Sequence, residues 1–393
     1  MSFDGVDFYD IDGLLSEEER AVRDMVRDWV DTEVMPIIGR HYLDRSFPRE
    51  LVPQMGELGF YGANLPEEYG CAGLNNVAYG LIMQELERAD SGIRSFASVQ
   101  GALVMYPVYA FGSEEQKHEW LPKLASGEKI GCFGLTEPDF GSNPGGMITR
   151  AVKDGDEWVL NGAKMWITNG SMADMAIVWA KTGDIDDVSS IRGFIVETDR
   201  EGFSAKDQVG KLSLLASDTS ELVLQDVRVP DSNLLPESGG LKSPLKCLNQ
   251  ARYGIAWGAL GAAMACFCEA RDYARERVQF DKPIGGYQIQ QVRLAEMLTE
   301  ITKGQLLVQR LGRLKDAGTM TPQQVSLAKR NNVDIAADIS REARRLLGAN
   351  GILIEYQSMR HMANIESVYT YEGTHDIHSL ILGQEITGIP AFS

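Results

Sequence analysis

The sequence predicts an α+β fold in three segments. These are an N-terminal helical domain over 1–130, a central antiparallel β domain over 131–240 and a C-terminal four-helix bundle over 241–393. Two observations carry this reading. Apolar residues recur at helical period before about residue 130 and after about residue 240, and between those points they fall in short runs bounded by turn residues. No helical stretch separates the short runs, so their strands pair mainly with chain neighbours, antiparallel, as a barrel or sandwich.

In the first segment, Ser16 and Glu19 have capping-box spacing. Val22, Met25, Val26, Trp29, Val30 and Val34 follow at helical period. "NVAYGLIMQELERADSG" reads as a second helix closed by Ser91-Gly92, and "SEEQKHEWLPKLASGE" as another capped by Ser113. In the second segment, "ITRAVKDGDEWVLNGAKMWITNG" holds a hairpin signal at Asp154-Gly155. "MAIVWAKTG", "IRGFIVETD" and "SELVLQDVRVP" continue the strands. In the third, "CLNQARYGIAWGALGAAMACFCEARDYARERVQF" is one long helix whose Gly and Ala content permits close packing. The helix "QIQQVRLAEMLTEITKGQLLVQRLGRLKDAG" comes next. It is followed by one capped by Thr321, with Gly348 and Gly351 near its end. A last helix starts at Thr374, a suitable N-cap, with an apolar face of Ile377, Leu380 and Ile381.

The 393 residues are 44% hydrophobic and carry a net charge of -18. That balance argues against general nucleic-acid binding, which needs a basic face. Five scattered cysteines without a C-x-x-C suit a reducing compartment better than a disulfide framework or zinc cage. The opening "MSFDGVDFYDIDG" is acidic and lacks arginine, unlike a signal or transit peptide. It leads us to expect a cytoplasmic protein, although a processed organellar chain would look the same. No uninterrupted run of about 18 apolar residues occurs, so no membrane-spanning helix is expected. "SVQGALVMYPVYAFG" reads as buried core.

Several chemistries are weakly supported. His375, Asp376 and His378 lie close together, but without H-E-x-x-H or a Cys cluster they read as a helix surface with two histidines, and no metal is expected. "GANG" follows a helix and no strand precedes it, which argues for a helix cap over a Rossmann site. No G-x-S-x-G elbow is present. Arg94 precedes a long apolar stretch, and a buried guanidinium needs an anion, either Glu87 or a ligand. Glu372 lies between Tyr371 and Gly373 just before a helix. It is either a solvated acid or a base tuned upward by water exclusion and downward by the helix N-terminus.

Five ordered stretches, "ELERADSGIRS", "GCFGLTEPDFGSN", "KMWITNG", "LNQARYGIAWGALGA" and "YEGTHDIHSLILG", resemble the acyl-CoA dehydrogenases, and within them the glutaryl-CoA dehydrogenase branch. The resemblance covers almost the whole chain. It implies the same helical, β and helical domains, a homotetramer, and FAD bound between the β domain and the C-terminal helices with help from a neighbouring subunit.

By the same resemblance, Glu372 matches the catalytic base. Phe133, Leu135, Thr136, Gly141 and Ser142, with Trp166, Ile167 and Thr168, match the lining of the flavin. Arg277, Gln288, the stretch Leu347, Gly348, Ala349, Asn350 and Gly351, and Thr374 match contacts to the nucleotide half of FAD. Ser142, Asn249, Arg252 and Gly373 match contacts to the CoA thioester, and Glu87, Arg94 and Ser95 the end of the pocket that takes a distal carboxylate. The implied reaction is oxidation of glutaryl-CoA to glutaconyl-CoA and decarboxylation to crotonyl-CoA and CO2, with electrons passing to an electron-transferring flavoprotein. Alternatives are a dehydrogenase of short or branched monoacyl-CoA, a non-decarboxylating glutaryl-CoA dehydrogenase, and a catalytically silent acyl-CoA-binding protein. The chain departs from the family pattern at Asn143, Leu215, Asp281 and Ala349, where Asp, Arg, Gly and Gly are usual.

Overall fold

The computed structural model describes residues 6–391. The N-terminal helices are α1 (Glu17–Trp29), α2 (Met35–Asp44), α3 (Leu51–Glu57), α4 (Asn76–Ala89), α5 (Ser91–Ser98), α6 (Tyr106–Phe111) and α7 (Glu114–Ala125). The capping boxes at Ser16 and Ser113 form as their spacing requires, with Glu19 and Gln116 as the reciprocal partners. The second helix ends one residue earlier than the sequence suggests. Asp90 turns extended, closes α4, and caps α5 by accepting from Gly92 N at 2.7 Å. Ser91-Gly92 therefore opens a helix and does not close one, and Arg94 lies on a different helix from Glu87.

The strands are β1 (Gly131–Gly134), β2 (Arg150–Asp154), β3 (Glu157–Thr168), β4 (Met175–Lys181), β5 (Ile191–Glu197), β6 (Phe203–Asp207) and β7 (Thr219–Pro230). The hairpin at Asp154-Gly155 forms, with Gly155 at φ +61°. Pairs β2–β3, β3–β7, β4–β5 and β6–β7 are antiparallel, while β4 takes β1 and β2 as parallel neighbours, so the sheet is mixed. The long excursion from β1 through β2 and β3 before β4 supplies the crossover that a parallel pair needs.

The C-terminal elements are α8 (Lys242–Glu276), a small hairpin of β8 (Val278–Gln279) and β9 (Lys282–Pro283), α9 (Gln288–Asp316), α10 (Pro322–Leu346), α11 (Ser358–Thr370) and α12 (His375–Thr387). Helix α11 is additional to the four expected. Its placement makes the Glu372 segment a joint between two helices. At the β8–β9 turn, Phe280 and Asp281 have φ +50° and +63°, the backbone signs of a type I′ turn, in which glycine is the usual second residue. By composition α8 is long and apolar enough to cross a membrane, although it has no uninterrupted apolar run of that length, and its apolar stretch is buried inside the protein.

The N-terminal helices and the first half of α8 share one apolar core. A second core lies among α8–α11 and a third inside the β domain. Helices α4 and α8 approach so closely that a Cβ on Gly261 would sit 1.9 Å from the Gln84 carbonyl oxygen. Asp90 also accepts from Arg360 at 2.6 Å and Asn364 at 2.9 Å, and Asn364 Oδ1 accepts from Leu214 N at 2.9 Å. One buried carboxylate thus ties α5, α11 and the loop before β7, and it fixes where α11 delivers Glu372.

Candidate active site

Helix α11 stops at Thr370, and Thr374 caps α12 by accepting from Ile377 N at 3.2 Å. Between them Glu372 has φ +53° and Gly373 φ +92°. A left-handed backbone at a glutamate costs about 1–2 kcal/mol, so the surroundings have to hold it. Arg252 Nε, on α8, donates to the Glu372 carbonyl at 2.7 Å. Lys329 Nζ, on α10, donates to the carbonyls of Tyr371 and Gly373, the latter at 2.7 Å. The Glu372 side chain is spent on none of this: its Oε2 is buried and without a hydrogen-bond partner. Burial pushes its carboxyl above the usual range, while Arg94, Lys329 and Arg252 pull the other way.

Arg94 is 1% exposed and Glu87 is fully buried, with Arg94 Nε donating to Glu87 Oε2 at 2.6 Å. Arg94 also donates to the Tyr371 hydroxyl, and Ser95 Oγ lies 3.3 Å from that hydroxyl. The structure therefore brings Glu87, Arg94 and Ser95 to the Tyr371–Glu372 segment from helices α4 and α5. Tyr79 and Ser98, which sequence reasoning did not single out, have buried side chains whose hydroxyls face each other and have no other polar partner. Tyr79 feels the charges of both Arg94 and Glu372. A buried hydroxyl pair near a guanidinium has spare hydrogen-bonding capacity that a polar ligand end would use.

The histidines of α12 differ from their surface reading. His378 is fully buried, and it is kept neutral because burial drops its pKa to about 2. His375 stacks on Tyr369 with ring centroids 4.3 Å apart. The face of Ile377, Leu380 and Ile381 stays partly exposed in the single chain. A Cβ on Gly373 would lie 2.9 Å from His378 Nε2 and 3.2 Å from Arg252. Gly373→Ala is therefore expected to cost about 1–3 kcal/mol through backbone strain alone. A lowered melting temperature with reduced turnover checks it, and an unchanged melting curve would mean that the joint can relax.

The stretch from Phe133 to Ser142 and the end of β3 lie side by side. Met165 N donates to Thr136 O at 2.8 Å, and Lys164 Nζ donates to Leu135 O at 3.1 Å and Glu137 Oε1 at 2.9 Å. Phe133, Leu135 and Ile167 are core residues, Thr136 and Thr168 are half-buried, and Gly141 and Ser142 are exposed. A bulge in the β3–β7 ladder places Trp166 at φ +63°, with 61% of its surface exposed. An exposed indole beside two threonines and an open glycine edge is a surface suited to a flat aromatic ligand.

Arg277, Gln288, Gly348 and Ala349 form a second exposed region. There Arg277 N and Asn350 Nδ2 both donate to Tyr273, at its carbonyl and hydroxyl respectively. Leu347 and Gly351 are buried beneath them. Asn249 Oδ1 accepts from Arg252 at 3.3 Å.

The chain matches the acyl-CoA dehydrogenase N-terminal domain over residues 16–128, the middle domain over 132–227 and the C-terminal domain over 238–387. It is 36% identical over 94% of its length to the mitochondrial short-chain specific acyl-CoA dehydrogenase of Bos taurus, covering 90% of that protein. A glutaryl-CoA dehydrogenase from Mycobacterium smegmatis, solved with FADH2, superposes with a TM-score of 0.96 at 53% identity, over 98% of this chain and 99% of that one. A glutaryl-CoA dehydrogenase solved with glutaryl-CoA superposes with a TM-score of 0.92 at 34% identity, over 95% and 96%. The chain belongs to the acyl-CoA dehydrogenase family, the FAD-dependent oxidoreductases that the five sequence motifs imply.

Proposed function

We propose that this acyl-CoA dehydrogenase oxidises glutaryl-CoA and decarboxylates the product to crotonyl-CoA and CO2. The observation that carries the reading is the buried Arg94, set beside Ser95 and touching the Tyr371 hydroxyl, one residue from the orphaned carboxylate of Glu372. A three-carbon spacer between a thioester and a carboxylate suits a pocket with a base at one end and a guanidinium at the other. Likeness to the two glutaryl-CoA dehydrogenase structures supports the same substrate.

FAD fits the surface of exposed Trp166 and Ser142 and half-buried Thr136 and Thr168, with Phe133, Leu135, Ile167 and Gly141 shaping it. Arg277, Gln288, Leu347, Gly348, Ala349, Asn350, Gly351 and Thr374 would hold its nucleotide half. When bound, the flavin accepts the β-hydrogen with its electron pair. Glu372 takes the α-proton, its raised proton affinity matching it to a weak carbon acid. Ser142, Asn249, Arg252 and Gly373 position the thioester, and Arg94 with Ser95 holds the distal carboxylate, so the reacting carbons cannot drift. Loss of CO2 leaves an electron pair on the chain, and protonated Glu372 can return its proton to it. Electrons leave to an electron-transferring flavoprotein. Exposed apolar side chains on the C-terminal elements, among them Phe280 at 90% and Ile386 at 83%, support contact with neighbouring subunits, as the homotetramer implied by the resemblance requires.

Incubating the flavin-loaded protein with glutaryl-CoA and an electron acceptor is expected to give crotonyl-CoA and CO2 by mass. Accumulation of glutaconyl-CoA would instead establish the non-decarboxylating reading. A second reading, a monoacyl-CoA dehydrogenase, draws on Glu87, which already neutralises Arg94. Faster turnover of butyryl-CoA than of glutaryl-CoA would select it.

A further inference from the structure

Lys329 sits in the N-terminal third of α10 on the face formed by Val325, Ala328, Asn332 and Val333, all of them buried. It is itself 1% exposed. A buried ammonium without a partner is costly, yet no carboxylate bonds to it. It spends its donors on the backbone of a single segment, the carbonyls of Tyr371 and Gly373. With Arg252 on the carbonyl between them, three consecutive carbonyls are all held by buried cations from α8 and α10. The residue at the centre of that cradle is the one non-glycine of the joint with a left-handed backbone, Glu372.

We propose that Lys329 is a positioning residue for the proton transfer: by bridging the carbonyls on either side of Glu372 it holds that residue's left-handed turn, and its charge lies close enough to govern the carboxylate. The inference rests on Glu372 being the base, as proposed above.

The groups that face the pair decide the sign of the effect. Arg94 from α5 and Arg252 from α8 are cations that favour ionised Glu372. Glu87 from α4 is spent on Arg94. His378 from α12 stays neutral, and burial holds the hydroxyls of Tyr371 and Tyr79 above their usual range, so they stay protonated. Burial pushes Lys329 down to about 7, and Glu372 draws it back up. The two groups therefore titrate as a pair. Removing the lysine's charge takes away one of the cations that lower Glu372, so its proton comes off at higher pH.

The test compares Lys329→Met, Lys329→Arg and Glu372→Gln, each loaded with FAD. It follows kcat/KM against pH, solvent-deuterium exchange at the α-carbon of a bound acyl-CoA, flavin content and melting. Lys329→Met is expected to keep its flavin, to lose about ten- to a hundred-fold in kcat and in α-exchange with KM within about three-fold, and to shift the ascending limb up by about one pH unit. Lys329→Arg should return the limb to its wild-type position, because the charge is kept. An unmoved limb in Lys329→Met, or a loss that only tracks a lower melting temperature, overturns the proposal. If Lys329→Met does not fold, Lys329→Gln provides the neutral variant. Failure of both to give folded, flavin-containing protein assigns the lysine to core stability and also overturns it. Glu372→Gln separates the two hypotheses: retained turnover there defeats the base itself, whereas lost turnover beside an unmoved Lys329→Met limb defeats only the role of the lysine.

Discussion

Glu372→Gln should remove turnover of acyl-CoA by about 10²–10⁴-fold and leave flavin content and acyl-CoA binding close to wild type. The structure makes this a clean substitution. Glu372 Oε2 has no hydrogen-bond partner to lose, and the segment is held through its backbone carbonyls, which an amide side chain does not disturb. The stability change is a difference between two terms. Replacing a desolvated carboxylate with an amide removes a burial cost, but it also takes an anion away from Arg94, Lys329 and Arg252. Melting is therefore not expected to follow the loss of activity. The measurements are kcat/KM by acceptor reduction, binding of acyl-CoA by calorimetry, and a melting curve. Turnover within a few-fold of wild type would place the base elsewhere.

Much of the frame was legible because it is written locally. Ser16 with Glu19, Ser113 and Thr321 each announce a helix start within four residues, and all form caps in the structure. Asp154-Gly155 fixes a hairpin by turn chemistry alone. Sequence missed what depends on contacts between distant segments. The parallel pairing of β1 with β4 joins strands separated by a hairpin, and no local period records it. Helix α11 escaped because its inward residues include Ser358, Arg360, His361 and Asn364, which break an apolar stripe. Its polar face is buried because Asp90 and Glu269 answer it. His378 was read as exposed because nothing nearby in sequence shows that the missing side chain at Gly373 leaves room for a ring.

The site was legible in a similar, partial way. The motifs named Glu372, Glu87 and Arg94, but Lys329 and Tyr79 become apparent only when α4 and α10 pack around α8. One signal was available for Lys329. It lies four residues from both Val325 and Val333, so it is a lysine on the apolar stripe of an amphipathic helix. A cation in that position needs a partner, and the partner was 42 residues away.

Arg94→Met is expected to discriminate between substrates. In the wild type, the guanidinium is 1% exposed, bound to Glu87 at 2.6 Å and in contact with the Tyr371 hydroxyl. A distal carboxylate entering this pocket gives up water and has Arg94 and Ser95 to replace it. Removing one partner of a buried charge pair costs roughly 3–5 kcal/mol. That corresponds to about two to three and a half decades in kcat/KM for glutaryl-CoA. Butyryl-CoA has no carboxylate to strand, and a methionine suits its methyl end, so it should lose little.

The Glu87–Arg94 bond complicates the measurement, because Arg94→Met also leaves Glu87 buried without its cation and lowers stability whatever the substrate. Glu87→Gln combined with Arg94→Met removes that stranded charge and should recover most of the melting temperature. A carboxylate-receptor role predicts that the double variant still fails on glutaryl-CoA while turning over butyryl-CoA. A purely structural pair predicts that both substrates fall together in Arg94→Met and recover together in the double variant. Parallel recovery on glutaryl-CoA and butyryl-CoA would remove Arg94 as the receptor and, with it, the main support for a dicarboxylic substrate.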